Sequence, residues 1–167
     1  MVDFRAISDL QAQLRELGLV PVRILVSSTQ VGNIGGGEDN LVSGTLVANT
    51  LLHESSRYEV YAAGRFAANA NAKQVRLYHG STVLVDSGSI TPNAQRWEIR
   101  ASVMRRTSQT DTNANASFVT EGAARTGVLT RTAPVASLGA DILLKITGEG
   151  VATDDIILDQ VIMKAIG

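Results

Sequence analysis

The glycine-rich segment VGNIGGGEDN, from Val31 to Asn40, is the first place where this sequence could do chemistry. Consecutive glycines allow backbone amides to approach a phosphate group closely. A phosphate-binding P-loop, however, needs Lys and Ser or Thr after its last glycine, followed by a helix. Here Gly37 is followed by Glu38 and Asp39 and then by a strand-like run. The segment is therefore predicted to be a structural loop, with glycines that permit tight turns or close backbone approach, including approach to a neighbouring subunit.

Two histidines, His53 and His79, are the imidazole groups available as bases or metal ligands. They follow neither the HExxH nor the HxH spacing that places two metal ligands side by side. The chain has no cysteine, which excludes disulfide bonds and thiolate metal sites and leaves the redox compartment open. We therefore expect no cofactor, no metal site and no Ser-His-Asp triad.

The acidic segment GEGVATDD, from Gly148 to Asp155, is a second candidate metal site. Its carboxylates lack the alternating spacing of an EF-hand loop, so a turn between the last two strands is predicted, with a calcium site as the alternative. Other acids, among them Asp86, Glu98 and Glu121, form no pair that the sequence singles out for glycoside hydrolysis. The chain is accordingly not expected to be an enzyme.

One predicted strand carries four arginines, which are Arg96, Arg100, Arg105 and Arg106. We interpret them as a solvated face with salt bridges to Glu98 and other acids, and a basic binding patch is the alternative. The whole chain has 15 Lys and Arg against 16 Asp and Glu, so no general attraction to nucleic acid is expected. One Trp, three Tyr and three Phe are also too few for a base-stacking platform.

The tract TSQTDTNANASF, from Thr107 to Phe118, has few apolar residues and is predicted to be an exposed loop or hairpin tip. Recognition often lies on such tips when the scaffold beneath them is rigid. The candidate contact residues are Gln109, Asp111, Asn113 and Asn115. A plain solvent-exposed loop is the alternative.

The elements that would position these residues begin with a helix at residues 1–18. Its apolar positions follow heptad spacing, and they are Ile7, Leu10, Leu14 and Leu17. Asp3 or Ser8 suits the helix start, Gly18 suits its end, and Pro21 opposes continuation. Two heptads are marginal in isolation, so the helix must either pack on its own domain or join several subunits in a short parallel bundle.

Residues 19–167 alternate between short apolar runs and clusters of Gly, Asn, Ser and Pro, which is typical of an all-β domain. The strands are predicted at Val22–Ser28, Asn40–Val47, Tyr58–Ala67, Gln74–His79, Thr82–Asp86, Arg96–Arg106, Ala116–Glu121, Gly127–Thr132, Asp141–Gly148 and Ile156–Ala165. Gly80 and Ser81, in HGST, predict a two-residue hairpin turn. The strongest alternation is in WEIRASVMRRT. Its predicted core residues are Trp97, Ile99, Ala101 and Val103.

About ten short strands without interior helices favour an antiparallel β-sandwich, either a jelly roll or another Greek-key arrangement. A chain of 167 residues is long enough for one domain with a real core. No stretch approaches the roughly 18 apolar residues of a membrane span, and the first residues lack the apolar core of a secretory signal. We expect a helix at residues 1–18, one jelly-roll domain at residues 19–167 and no membrane partner.

Three segments between Gly32 and Gln109 carry a family resemblance over about half of the chain. They are GNIGGGEDNLVSGTLVANTL, YAAGRFAANANAKQVRLYHGSTVLVDSG and WEIRASVMRRTSQT. These segments resemble a group of small structural proteins and tail-fibre or head-fibre domains of tailed bacteriophages. In that group a GEDxL segment leads into a T-L-x-A-N strand, a G-x-F-A-A-N-A-N-x-K segment, a short hairpin and a W-x-[IV]-x-x-x-V-x-R strand.

The resemblance implies a jelly-roll-like β-sandwich that decorates a virion, often as a homotrimer, and does no chemistry of its own. FAANANAK would then form a tight crossing between two core strands, in which Asn69 and Asn71 bond turn backbone. Lys73 would close this segment through a carboxylate.

The leading hypothesis is therefore a non-enzymatic bacteriophage virion structural protein, made in the host cytoplasm, that serves as a capsid decoration, head-fibre or tail component. Its expected partners are further copies of itself in a homotrimer, other capsid or tail proteins and a host-surface glycan. One alternative is a receptor-binding tip protein that recognises a host-surface glycan or protein. The other is a carbohydrate-binding or carbohydrate-active jelly roll.

Overall fold

The computed structural model describes residues 13–14, 21–122 and 136–167. Within this part the chain forms ten β-strands. They are β1 (Val22–Ser27), β2 (Val31–Gly32), β3 (Gly37–Leu46), β4 (Arg57–Phe66), β5 (Gln74–His79), β6 (Thr82–Asp86), β7 (Arg96–Arg105), β8 (Thr112–Thr120), β9 (Ile142–Gly150) and β10 (Ile156–Ile166).

The strands form two sheets in which every ladder is antiparallel. The first sheet has the order β1-β10-β4-β7-β8, with the short β2 also paired to β10. The second sheet has the order β3-β9-β5-β6. Buried side chains from both sheets belong to one hydrophobic core, so the architecture is that of a β-sandwich. The all-β prediction is confirmed at this level.

Alternation along each strand separates a core face from an outer face. On β7 the predicted inward residues are buried, and they are Trp97, Ile99, Ala101 and Val103. On β4, Tyr58, Val60 and Ala62 are buried while Glu59 and Tyr61 between them are half-buried on the other side. The side chains on the outer face of the first sheet are therefore placed by the same pattern that builds the core.

Several predicted strand bounds agree with the fold. Gln74–His79 and Thr82–Asp86 match β5 and β6, and the turn between them contains Gly80 with a φ of 58°. That positive φ explains why glycine stands in this two-residue turn. The predicted strand at residues 127–132 lies outside the described residues.

Two strands begin three or four residues before their predicted starts. β3 begins at Gly37 rather than Asn40, because residues 37–39 pair with the end of β9 despite the low strand propensity of glycine and acidic residues. β8 begins at Thr112 rather than Ala116, so most of the tract from Thr107 to Phe118 is strand and not loop. Its inward residues Ala114 and Ala116 are small, which hid the apolar side of this strand in the sequence.

The predicted N-terminal helix lies outside the described residues except at residues 13–14, which have helical backbone geometry. Of its four seam residues, Leu14 is described and is partly exposed, whereas Ile7, Leu10 and Leu17 lie outside the described part. The helix and its role in assembly therefore stay predictions.

A buried carboxylate organises the crossing from β4 in the first sheet to β5 in the second. Asp155 accepts hydrogen bonds from Asn69 Nδ2 at 2.7 Å and from Asn71 Nδ2 at 3.0 Å. It also accepts from the backbone amides of Val151 at 2.9 Å and Ala152 at 2.7 Å. Burial by itself would raise the pKa of Asp155, but these hydrogen bonds outweigh it and lower the pKa to about 2.

Lys73 closes the same crossing from the inside of the domain and is only 1% exposed. Its ammonium donates to the backbone carbonyls of Asn69, Asn71 and Pro92 and to Asn69 Oδ1, at 2.7–3.2 Å. Lys73 thus binds carbonyl oxygens rather than the carboxylate that the resemblance implied. Asn69 bonds turn backbone as expected, because its Oδ1 accepts from the amide of Asn71 at 3.1 Å, whereas the Asn71 side chain bonds the Asp155 carboxylate instead.

A buried polar pair connects the two sheets across the core. Tyr58 of β4 and His79 of β5 lie with Oη and Nδ1 2.7 Å apart, and their rings are stacked with centroids 5.7 Å apart. Burial lowers the pKa of His79 to about 4, against a smaller opposing effect of the backbone at Ala136. Burial also raises the pKa of Tyr58 well above its ordinary value, so both groups are neutral at pH 7.

Candidate functional site: a concavity on the outer face of the first sheet

A concavity of about 750 Å³ opens on the outer face of the first sheet, where β10, β4, β7 and β8 lie side by side. We call it the outer concavity. Its lining residues are Glu59, Val60, Tyr61, Arg100, Ala101, Ser102, Asn115, Ser117, Ile162 and Lys164. Its volume lies in the range of small-molecule sites, about 300–1,000 Å³.

Strand register arranges most of these side chains in two neighbouring rows that cross four strands. One row consists of Ile162, Tyr61, Arg100 and Ser117, which are successive pairing partners. The next row consists of Lys164, Glu59, Ser102 and Asn115. Residues two apart on a strand share a face, so both rows point outward together.

The charged groups of the outer concavity are paired with one another or with a neighbour. Lys164 Nζ lies 3.2 Å from Glu59 Oε2, and Arg100 Nε lies 2.6 Å from Glu98 Oε1. The pKa of Glu59 is lowered most by a hydrogen bond from Arg57. Lys164 lowers it further, and burial acts in the opposite direction. Glu59 is therefore a carboxylate at neutral pH, and each lining cation has an anionic partner.

Tyr61 provides the aromatic surface of the outer concavity. The guanidinium carbon of Arg100 lies 5.6 Å from the centroid of its ring, and Gln160 Nε2 donates to its hydroxyl at 3.4 Å. Ile162, the pairing partner of Tyr61 on β10, is 40% exposed. Together Tyr61 and Ile162 form a small apolar surface among polar groups.

The β7 and β8 side of the outer concavity carries uncharged hydrogen-bonding groups. Ser102, Asn115 and Ser117 are half-buried or exposed, and none of their side chains forms a hydrogen bond to another described residue. A hydroxyl both donates and accepts, and an amide offers both functions on separate atoms. Within the described part of the chain, this side of the outer concavity has no internal hydrogen-bond partner and suits a ligand that also presents donors and acceptors.

Three of the four arginines predicted along one strand are bound by neighbouring groups, and the fourth, Arg96, is exposed at the start of β7. Arg100 points into the outer concavity and pairs with Glu98, as expected for a solvated face with salt bridges. Arg105 turns toward the backbone carbonyls of Leu51 and Leu52, and Arg106 lies 3.5 Å from a carboxylate oxygen of Asp111. The arginine pattern in the sequence thus identified one residue of the outer concavity, Arg100.

The four candidate recognition residues separate into two groups. Gln109 donates to Asn49 Oδ1 at 2.7 Å, and Asp111 accepts from Thr107 Oγ1 at 2.6 Å, so both are used within the fold. Asn113 and Asn115 lie on the outer face of β8, and Asn115 lines the outer concavity. A recognition role for any of the four stays a prediction.

Sequence reasoning did not single out Glu59, Tyr61, Ile162 or Lys164. The signal available was the alternation of RYEVYAAGRF, which places Glu59 and Tyr61 opposite the core residues of β4. Which residues of β7, β8 and β10 stand beside them depends on strand order, which alternation in a single strand does not encode.

The outer face of the second sheet carries a network of ion pairs. Arg76 of β5 binds Glu38 of β3 at 3.0 Å, Asp86 of β6 at 3.3 Å and Glu149 of β9 at 2.9 Å. Tyr78 also donates to Glu38 at 2.7 Å. The side chains of this network bond one another, so it joins four strands.

The other segments considered for chemistry take structural positions. Gly35, just before β3, and Gly37, its first residue, have positive φ angles, and Asp155 is buried in the turn between β9 and β10. His53 is exposed and His79 is buried against Tyr58. Over residues 13–14, 21–122 and 136–167, no three His, Asp or Glu side chains are grouped to hold a metal ion.

No helix in the described part of the chain is both long and apolar enough to cross a membrane. No family model matches the chain, and neither a curated protein nor a solved structure matches it significantly.

Proposed function

We propose that the chain is a non-enzymatic structural protein of a tailed-bacteriophage virion, built as a jelly-roll sandwich. The observation that carries this proposal is the strand order. Without β2 and β8, the two sheets are β1-β10-β4-β7 and β3-β9-β5-β6. Eight strands in two four-stranded antiparallel sheets suit a jelly roll, an architecture that recurs in viral capsid proteins and lectins.

The path of the chain supports the same interpretation. It passes from the first sheet to the second between β1 and β3, returns for β4, crosses again for β5 and β6, and returns for β7. β9 then belongs to the second sheet and β10 to the first. β8 is an addition at the edge of the first sheet beside β7.

Two of the segments that resemble phage proteins form defined elements of this sandwich. FAANANAK is the crossing between the sheets that Asp155 and Lys73 hold in place, and WEIRASVMRRT is β7 beneath the outer concavity. In this role the domain forms a homotrimer, and the helix at residues 1–18 anchors it to the capsid or tail.

The test is whether the chain is part of a virus particle. Tailed phage particles released from cells that carry this gene would be purified on a density gradient and probed with an antibody against the chain. We expect the chain to sediment with intact particles in a fixed copy number. Its presence in the cell lysate but not in washed particles would overturn the proposal.

A further inference from the structure

The outer concavity has groups that a purely structural role does not use. We infer that it binds a neutral oligosaccharide. This activity goes beyond the proposed virion role and does not depend on it, because the binding groups all belong to one sheet of one chain.

Both cations that line the outer concavity already contact carboxylates. Lys164 contacts Glu59 at 3.2 Å, a carboxylate that Arg57 also contacts at 2.9 Å, and Arg100 contacts Glu98 at 2.6 Å. An anionic ligand would have to separate these pairs and leave Glu59 or Glu98 beside its own negative charge, which costs free energy. An uncharged ligand keeps both pairs intact and uses their remaining hydrogen-bonding positions.

The free polar groups match the hydroxyls of a sugar. Ser102, Ser117 and Asn115 lie in adjoining rows on β7 and β8 and bond to no other described side chain or backbone group. Each sugar hydroxyl donates and accepts one or more hydrogen bonds, as do these serine and asparagine groups. A ligand rich in hydroxyls can therefore satisfy all three residues without burying an unpaired polar atom.

The apolar part of the outer concavity is small for a protein interface. Tyr61 and Ile162 are neighbours in one row, and the other outward side chains of the outer concavity are polar, whereas Val60 and Ala101 turn their side chains into the core. Stable protein interfaces have an apolar core ringed by polar groups and bury about 800 Å² on each partner. One tyrosine and one isoleucine provide a platform for the C–H face of a ring, with polar groups on its rim.

The test uses the isolated full-length chain on an array of neutral and anionic oligosaccharides, followed by titration of the best neutral sugar. Tyr61→Ala removes the apolar platform, and Asn115→Ala removes a free amide. We expect each change to weaken binding by about tenfold or more, since tenfold corresponds to about 1.4 kcal/mol. Thr45→Ala, an exposed change on β3 of the other sheet, is the matched control and should bind like the unchanged chain.

Three results would overturn the inference. Absence of binding to every neutral sugar, or binding to anionic sugars alone, would reject the neutral ligand. Neutral-sugar binding that survives both Tyr61→Ala and Asn115→Ala would place the site elsewhere. A change in molecular mass caused by Tyr61→Ala would indicate that a second copy covers the outer concavity. None of these results bears on whether the chain is found in virus particles.

Discussion

At the scale of single residues, His79 makes the stability of this domain depend on pH. Its pKa is lowered from 6.5 to about 4 in the fold, because burial disfavours the charged ring. Between those pH values the unfolded chain binds a proton that the folded chain excludes. The contribution of His79 to the free energy of unfolding should therefore be constant above pH 6.5. It should lower that free energy by about 3 kcal/mol as the pH decreases to 4.

The measurement is denaturant unfolding across this pH range, compared with two variants. His79→Asn keeps a group that can bond the Tyr58 hydroxyl but cannot gain a proton. The decrease in unfolding free energy between pH 6.5 and 4 should therefore be smaller in this variant by the contribution of His79. His53→Asn changes an exposed histidine and should leave the slope of unfolding free energy against pH unchanged. An unchanged slope in His79→Asn would show that His79 is not the titrating group.

Asp155 stabilises the fold through the hydrogen bonds that its ionised form accepts. Asp155→Asn places an amide among four donor groups, and we expect a loss of about 3 kcal/mol in unfolding free energy at pH 7. Because the pKa of Asp155 is lowered to about 2, this stabilisation is full above its ordinary value of 3.8 and lost as the pH falls through 2.

The neighbouring Asp154 offers a matched control for this prediction. It is exposed and has a φ of 62°, a conformation that asparagine accepts well. Asp154→Asn should change the unfolding free energy by less than about 0.5 kcal/mol. Equal effects of the two substitutions, measured by urea unfolding, would contradict the central role of Asp155.

At the scale of elements, β4 depends on a glycine where it passes between two neighbours. A Cβ atom on Gly64 would overlap the carbonyl oxygen of Ile157 on β10 and lie 2.5 Å from a ring carbon of Trp97 on β7. Gly64→Ala should therefore destabilise the domain by about 3 kcal/mol or more, because neither a strand backbone nor a core tryptophan can move cheaply.

Gly36→Ala is the control for this overlap. Its added Cβ would meet only the carbonyl oxygen of Val151 at 3.8 Å, which is ordinary contact. Thermal unfolding of both variants should show a large decrease in Tm for Gly64→Ala and little change for Gly36→Ala. A small effect of Gly64→Ala would mean that β4, β7 and β10 pack less tightly than the structure indicates.

At the scale of the whole molecule, the prediction concerns assembly. The proposed homotrimer uses the heptad seam of the helix, so replacing Leu10 and Leu14 with Asp places charges where apolar contacts are needed. We expect the unchanged full-length chain to have the mass of a trimer by light scattering and the double variant to have a lower mass.

The double substitution Gln11→Asp with Gln13→Asp adds the same charges outside the seam and should preserve the trimer. A trimer that survives both double substitutions would place the subunit contacts in the sandwich and leave the helix free to act as an anchor. A monomer in every case would reject the homotrimer and leave symmetry to the virion.

The sequence by itself determined the all-β class, the core face of β7 and the hairpin between β5 and β6. These features are local, since a period of two and a turn glycine are visible within ten residues. It did not locate the start of β8, because alanine and asparagine carry little apolar contrast even where Ala114 and Ala116 face the core.

Only the tertiary structure decided which distant residues meet. Asp155 is bonded by Asn69 from 86 residues earlier in the chain, and Tyr61 gains Arg100 and Ile162 as neighbours through the order of strands. Register within a sheet depends on which strands pair, and that choice comes from packing the whole core rather than from any one segment. The outer concavity is therefore a property of the assembled sheet, although a pattern present in the sequence placed its polar side chains outward.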